Sequence, residues 1–215
     1  MLILALDTAT DTGSLALVEG DEPLWESSLE GAGAYLSRLL PMLAALFAAA
    51  GRDPADLGAI GVSVGPGNFT GLRIGCATAK TLAWSLGCPL VPVPTLEVLA
   101  AQVPFQPQTI GVVMDAKRSE VYWGLYRCPA DQPLVEAEPV RLPMAELYRR
   151  LTPPLVLTGP WVSSLAGLPE GVVLAAPESR HPRAATVAHL ARRRLEAGLA
   201  TSPQQLAPFY LRPAL

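Results

Sequence analysis

Three acidic or glycine-rich stretches and one histidine pair in this chain have residue types and spacings that could do chemistry. Asp7 ends the apolar run 2–6 and is followed by a small polar turn, 8–13. Backbone N–H groups of such a turn can cradle a phosphate while the carboxylate handles a metal through water. The plainer reading is an aspartate that caps a turn after a buried strand. The second stretch, Gly65-Pro66-Gly67-Asn68-Phe69-Thr70-Gly71, lacks the Gly-Lys-Ser/Thr of a P-loop, so its glycines read as turn geometry. The third is Asp115, which like Asp7 ends an apolar run, 109–114. Ala116, Lys117, Arg118, Ser119 and Glu120 follow it, with no glycine before Gly124, and their bulk opposes the close backbone approach that phosphate needs. At Leu157-Thr158-Gly159-Pro160-Trp161 a single glycine ends an apolar run, and Pro160 removes a backbone N–H that a ligand could use. His181 and His189, even on one helix, would stand ~12 Å apart, too far to share a metal. No Gly-x-Ser-x-Gly elbow is present. The residues therefore point to no catalytic group, no metal and no cofactor.

The elements around these residues are unusually poor in charge. Half the residues are apolar and 16% are charged, against about a quarter in a typical soluble domain. The net charge of −3 argues against a strongly basic nucleic-acid groove. Cys76, Cys88 and Cys128 are odd in number and lack CxxC spacing, as expected of reduced, packed thiols in a cytoplasmic protein. No apolar run reaches the ~20 residues of a membrane span, and the start has no basic region of a signal peptide.

Strands are expected at 2–6, 14–18 and 24–29, then a helix at 34–50 whose face of Leu36, Leu39, Leu40, Leu43, Leu46 and Phe47 is extended by Tyr35, Met42 and Ala49. Arg38 is its only charge. A helix apolar nearly all round is covered on more than one side. The strand 60–64 leads through the glycine turn into a second helix, capped by Asn68 or Thr70, in which Gly71, Gly75, Ala79 and Ala83 recur every fourth residue. Glycine costs a helix about 1 kcal/mol against alanine, so another backbone is expected to come close there: the chain's own sheet, or a helix of a second chain. With only Arg73 and Lys80 charged between Gly71 and Leu96, the second chain is favoured. The expected interface is Tyr35, Leu36, Leu39, Met42, Leu43 and Leu46 with Gly71, Arg73, Gly75, Thr78, Ala79 and Leu82. Gly75→Leu or Leu39→Asp should then break partner binding and leave the monomer folded.

Beyond Pro104 and Pro107 the pattern predicts strands at 109–114 and 120–127, a short strand near Val140, a helix at 144–151 and strands at 155–158 and 172–174. A short helix at 161–165 and an amphipathic one at 184–197 complete it. The last carries Arg192, Arg193 and Arg194, read as a solvated face near a helix C-terminus, with contact to a transfer-RNA backbone as the sharper alternative.

A strand ending in Asp, a small polar turn and a hairpin strand is how the actin, sugar-kinase and chaperone ATPase fold opens. ILALDTATDTGSLAL at the start, GPGNFTGLRIG, MDAKRSEVYWGLY at 114–126 and PFYLR at 208–212 come in order and span nearly the whole chain. With them the chain resembles the bacterial TsaB family. The resemblance implies an α/β, actin-like fold of two lobes, here 1–104 and 105–215, each with a mixed sheet and helices. It implies a non-catalytic subunit that pairs, through first-lobe helices, with the catalytic paralogue TsaD, completed by a small ATPase, TsaE. The assembly places threonylcarbamoyl on adenosine 37 of transfer RNAs reading codons that begin with A. Alone, the same apolar surface is expected to form a homodimer. On this reading Asp7, Thr8 and Asp115 are degenerate nucleotide-loop positions. Family members often carry a His-Ser or His-Thr pair near the start of the first helix; this chain has Gly33-Ala34-Tyr35-Leu36 there. The alternative is a self-sufficient ATP-dependent carbamoyltransferase or small-molecule kinase, which would bind Mg-ATP by itself.

Overall fold

The computed structural model describes residues 1–31, 34–104, 107–129 and 133–211, with side chains except at 29, 30 and 34–36. Gly33 and Arg212, and the side chains of Tyr35 and Leu36, therefore lie outside what is described. The chain divides into two compact units, Met1–Thr95 with Pro182–Phe209, and Leu96–His181 with the C-terminal end.

The first unit contains β1 (Leu2–Asp7), β2 (Thr12–Glu19), β3 (Glu22–Glu30), α1 (Ala34–Ala50), β4 (Leu57–Gly65), α2 (Phe69–Leu86) and β5 (Leu90–Pro94). Its sheet runs β3-β2-β1-β4-β5. The two hairpin pairs are antiparallel, and β1–β4 and β4–β5 are parallel. Alternation along the strands sorts the faces. Leu4, Leu6, Leu15, Leu17, Ile60 and Val62 share one core with Leu39, Leu43 and Leu46 of α1 and Cys76, Ala79 and Ala83 of α2. Gly61 faces the other way, where a Cβ would lie 2.7 Å from the Cβ of Ala191.

Ala191 belongs to the helix α5 (Ala184–Glu196), from the far end of the chain. Its own N-cap, Arg183, makes no capping bond. The first turn is held instead by the first sheet: Ala184 N donates to Ser14 Oγ (2.9 Å) and Ala185 N to Glu26 Oε1 (3.0 Å). These bonds satisfy helix-end donors that would otherwise be orphaned. They give 182–209 to the first unit, whereas the sequence reading ran the second lobe unbroken to the C-terminus.

The second unit contains α3 (Thr95–Ala101), β6 (Thr109–Lys117), β7 (Glu120–Arg127), β8 (Leu134–Pro143), α4 (Met144–Arg150), β9 (Leu155–Thr158) and β10 (Val172–Leu174). Its sheet runs β10-β9-β6-β7-β8, with β6–β7 and β7–β8 antiparallel and β6–β9 and β9–β10 parallel. That is the order of the first sheet, strand for strand. Leu96, Leu99, Ala100 and Val103 share a core with one sheet face, and Leu147, Leu151 and Val162 with the other. Neither β5 nor α3 was expected from sequence, and β8 is far longer than the short strand expected near Val140. Among the described residues no helix is long and apolar enough to cross a membrane.

Candidate functional site

The GPGNFTG turn leads into α2 through Asn68, whose Oδ1 accepts from Gly71 N at 3.0 Å, and Gly87 closes the helix in the left-handed region (φ 66°). Gly71, Leu72, Gly75, Cys76, Ala79 and Ala83 are buried by the chain itself. The reason for the glycines is the turn after β1. The Thr8 hydroxyl donates to the Gly71 carbonyl (2.8 Å) in a buried position, and Asn68 N donates to the Ala9 carbonyl (2.7 Å). A Cβ at Gly75 would clash with Thr8 Oγ1, and one at Gly67 with the Ala9 carbonyl. The glycine stripe is thus a socket for the chain's own β1–β2 turn.

This corrects the expected interface. Leu39, Leu43 and Leu46 are 2%, 6% and 0% exposed, and Gly71, Gly75 and Ala79 are likewise covered. These six are covered within the chain itself and present no surface to a partner. Met42, Thr78 and Leu82 are half-buried, and Arg73 is exposed with its guanidinium 3.8 Å over the Phe69 ring. Gly75→Leu and Leu39→Asp would therefore damage the fold itself.

Apolar surface nonetheless remains, on the opposite faces. On α1 the exposed residues are Ser37, Arg38, Leu40, Pro41, Ala44, Ala45, Ala48 and Ala49. On α2 they are Phe69, Thr70, Arg73, Ala77, Thr81, Trp84 and Ser85. Leu40 is 66% exposed and Trp84 73%. Among the described residues the exposed charges of these faces are Arg38 and Arg73, and half-buried Lys80 beside them is bonded to the Leu206 carbonyl. The sequence signal for this surface was the complement of the Gly71/Gly75/Ala79/Ala83 row on a 3.6-residue period.

The candidate nucleotide positions have other partners. Asp7 is fully buried, and its Oδ1 accepts from Ala9 N at 3.1 Å. Its Oδ2 has no hydrogen bond, nor does the neighbouring buried Ser63 hydroxyl, which lies near enough to favour the charged form without bonding it in ordinary geometry. Burial dominates and pushes the carboxyl up to about 6. Asp115 is half-buried; its Oδ1 accepts from Lys117 N (2.7 Å) and its Oδ2 pairs with Lys117 Nζ (2.8 Å). Lys117, Arg118 and Ser119 all have positive φ, between 55° and 64°. With Lys117 paired to Glu120, the two central residues form the tight turn that usually selects glycine or asparagine.

Arg192, Arg193 and Arg194 are each half-buried rather than a uniformly solvated face. Arg192 pairs with Asp21 across 2.5 Å, which holds the Asp21 carboxyl below its ordinary value. Burial pushes the Cys76 thiol up to about 11 and raises Cys88, and among the described residues no cysteine forms a disulfide. Among the described residues no three His, Cys, Asp or Glu side chains cluster as metal ligands.

The family of TsaD, tRNA N6-adenosine threonylcarbamoyltransferase, matches residues 30–135. The tRNA threonylcarbamoyladenosine biosynthesis protein TsaB of Bacillus subtilis is 40% identical over 127 residues, which cover 59% of this chain and 56% of that protein. The chain thus spans little more than half the length of this curated relative. YeaZ from Pseudomonas aeruginosa is 28% identical with a TM-score of 0.82, covering 98% of this chain and 99% of that one. A ROK hexokinase from Thermus thermophilus, 12% identical, covers 91% of this chain and 100% of its own with a TM-score of 0.50, a likeness of fold alone. The two mixed five-stranded sheets with their helices are the two lobes of the actin-like, sugar-kinase fold.

Proposed function

Because this chain is a homologue of the bacterial TsaB proteins, we propose that it serves tRNA threonylcarbamoyladenosine biosynthesis as a non-catalytic scaffold subunit. It binds and activates a TsaD-like catalytic paralogue through its first lobe, a TsaE-like ATPase completes the assembly, and transfer RNA is met through the complex. Without that partner the same face pairs with a second copy of the chain.

The observation that carries this reading is the outward face of α1 and α2. It combines Leu40, Phe69 and Trp84 with Ala44, Ala45, Ala48 and Ala77, and its exposed charges among the described residues are Arg38 and Arg73. Small residues between large ones let another helix approach closely, and a patch so short of charge is costly to leave in water. The non-catalytic part is supported by the bonds already made at the old nucleotide positions. Thr8 Oγ1 is committed to Gly71, and both Asp115 oxygens to Lys117.

Reconstitution with a TsaD-type partner tests the proposal. Ala45→Arg and Trp84→Arg should each keep the monomer's circular dichroism and melting midpoint. Each should weaken association and the stimulated formation of threonylcarbamoyladenosine at least tenfold, as loss of an interface anchor does. Undiminished association of both variants would overturn the docking face. Micromolar Mg-ATP binding by the isolated chain in calorimetry would favour the self-sufficient enzyme.

A further inference from the structure

A docking helix is useful only if it is held where the partner expects it, because ordering it at the moment of contact subtracts from affinity. The N-terminal half of α2 is held by more than its own cap. Thr8 reaches it from the end of β1, donating its hydroxyl to the Gly71 carbonyl at 2.8 Å with both groups buried. One residue on, the Ala9 carbonyl receives Asn68 N at 2.7 Å, at the N-cap itself. The Asn68 side chain also reaches back, Nδ2 to Asp11 Oδ1 at 3.3 Å. Gly67 and Gly75 are the two places where the turn enters, and a Cβ at either would meet Ala9 or Thr8. Glycine at both is what lets turn and helix interlock, despite its cost of about 1 kcal/mol in a helix. Further along, Lys80 Nζ donates to the Leu206 carbonyl (3.1 Å), so the returning C-terminal segment ties down the middle of the helix.

We propose that Thr8 is a positioning residue for the docking helix: its hydroxyl, seated over Gly75, fixes the N-terminal half of α2 in the orientation that presents Phe69, Arg73, Ala77 and Trp84. The turn that cradles phosphate in nucleotide-binding members of the fold here cradles a helix of its own lobe. The inference rests on the docking reading for its consequence, and on the turn–helix geometry alone for its cause.

The test replaces the hydroxyl at constant shape. Thr8→Val should leave the global melting midpoint within a few degrees. It should raise amide exchange in 69–76 at least tenfold relative to the strands β1 and β4, and weaken association with the TsaD-type partner by a similar factor. Thr8→Ser should recover both. Gly75→Ala, which presses on Thr8 from the helix side, should act in the same direction. Exchange rising evenly across the whole first sheet, or no change in 69–76, would overturn the proposal, since the contact would then be general packing or nothing. Trp84→Arg separates the two readings. If it abolishes association while Thr8→Val alters neither readout, positioning alone fails. If Trp84→Arg changes nothing, docking fails and the exchange result still decides the role of Thr8.

Discussion

The two lobes repeat one sheet and differ in what they lay upon it. Between β3 and β4 the first lobe inserts the seventeen residues of α1; between β8 and β9 the second inserts the seven of α4. Between β4 and β5 stand the eighteen residues of α2, where the second lobe makes do with a three-residue 3-10 turn, Val162–Ser164. The sheet therefore does not demand long helices in those slots. What the first lobe gains beyond core coverage is outward apolar surface, and that excess is the ground for assigning docking to it. The hairpin turns differ in step. In the first lobe Thr8, Ala9 and Thr10 are buried, with Thr8 and Ala9 under α2; in the second, Lys117, Arg118 and Ser119 are exposed.

The sharpest way to break this contrast is to charge the covered side of a first-lobe helix. Leu39→Asp places a carboxylate in a site 2% exposed, at a cost of about 4 kcal/mol or more. Urea unfolding should show a destabilised monomer. A variant of normal stability that only loses its partner would restore the interface first expected for Leu39.

The aspartates near the ends of the corresponding strands come next. The folded pKa of Asp7 is raised from 3.8 to about 6, so the folded state holds its proton to higher pH than the unfolded chain does. Stability from this group is full below pH ~3.8, falls as pH rises through ~6, and levels off above it, a difference of about 3 kcal/mol. Asp7→Asn should remove that fall and raise stability at pH 8 by up to about 3 kcal/mol. Asp115→Asn, which loses only a largely exposed pairing with Lys117, should change stability by no more than about 1 kcal/mol. A pH dependence that Asp7→Asn leaves in place, in chemical denaturation from pH 4 to 8, or an equal stability gain from both variants at pH 8, would erase the difference between the lobes.

The smallest effect concerns the exposed turn. Ser119 has φ 62°, which costs a residue with a Cβ about 1 kcal/mol that glycine does not incur. Ser119→Gly should raise the melting midpoint by a few degrees.

Most elements were legible because their signals are local. The alternation Ile60-Val62-Val64, the turn at Gly65–Gly71 and the helical spacing after Asn68 all act within a few residues. Two elements escaped for equally local reasons. Pro92 and Pro94 disguise β5, since proline withholds ladder donors, and seven-residue α3 is too short to show a helical period. β8 was under-read because Glu136, Glu138 and Pro139 suit an edge strand exposed along most of its length.

The candidate site was legible in kind and misplaced in detail. Composition and spacing alone established two charge-poor helices and a glycine row needing a close neighbour. Which neighbour fills the glycine row could be decided only in three dimensions, because Thr8 lies 63 residues from Gly71. The same holds for α5, whose first turn is capped by Ser14 and Glu26 from strands at the other end of the chain. Periodicity reports that a helix has a buried side; it carries no label for what buries it, since burial by the chain's own sheet and burial by a partner select the same small and apolar residues.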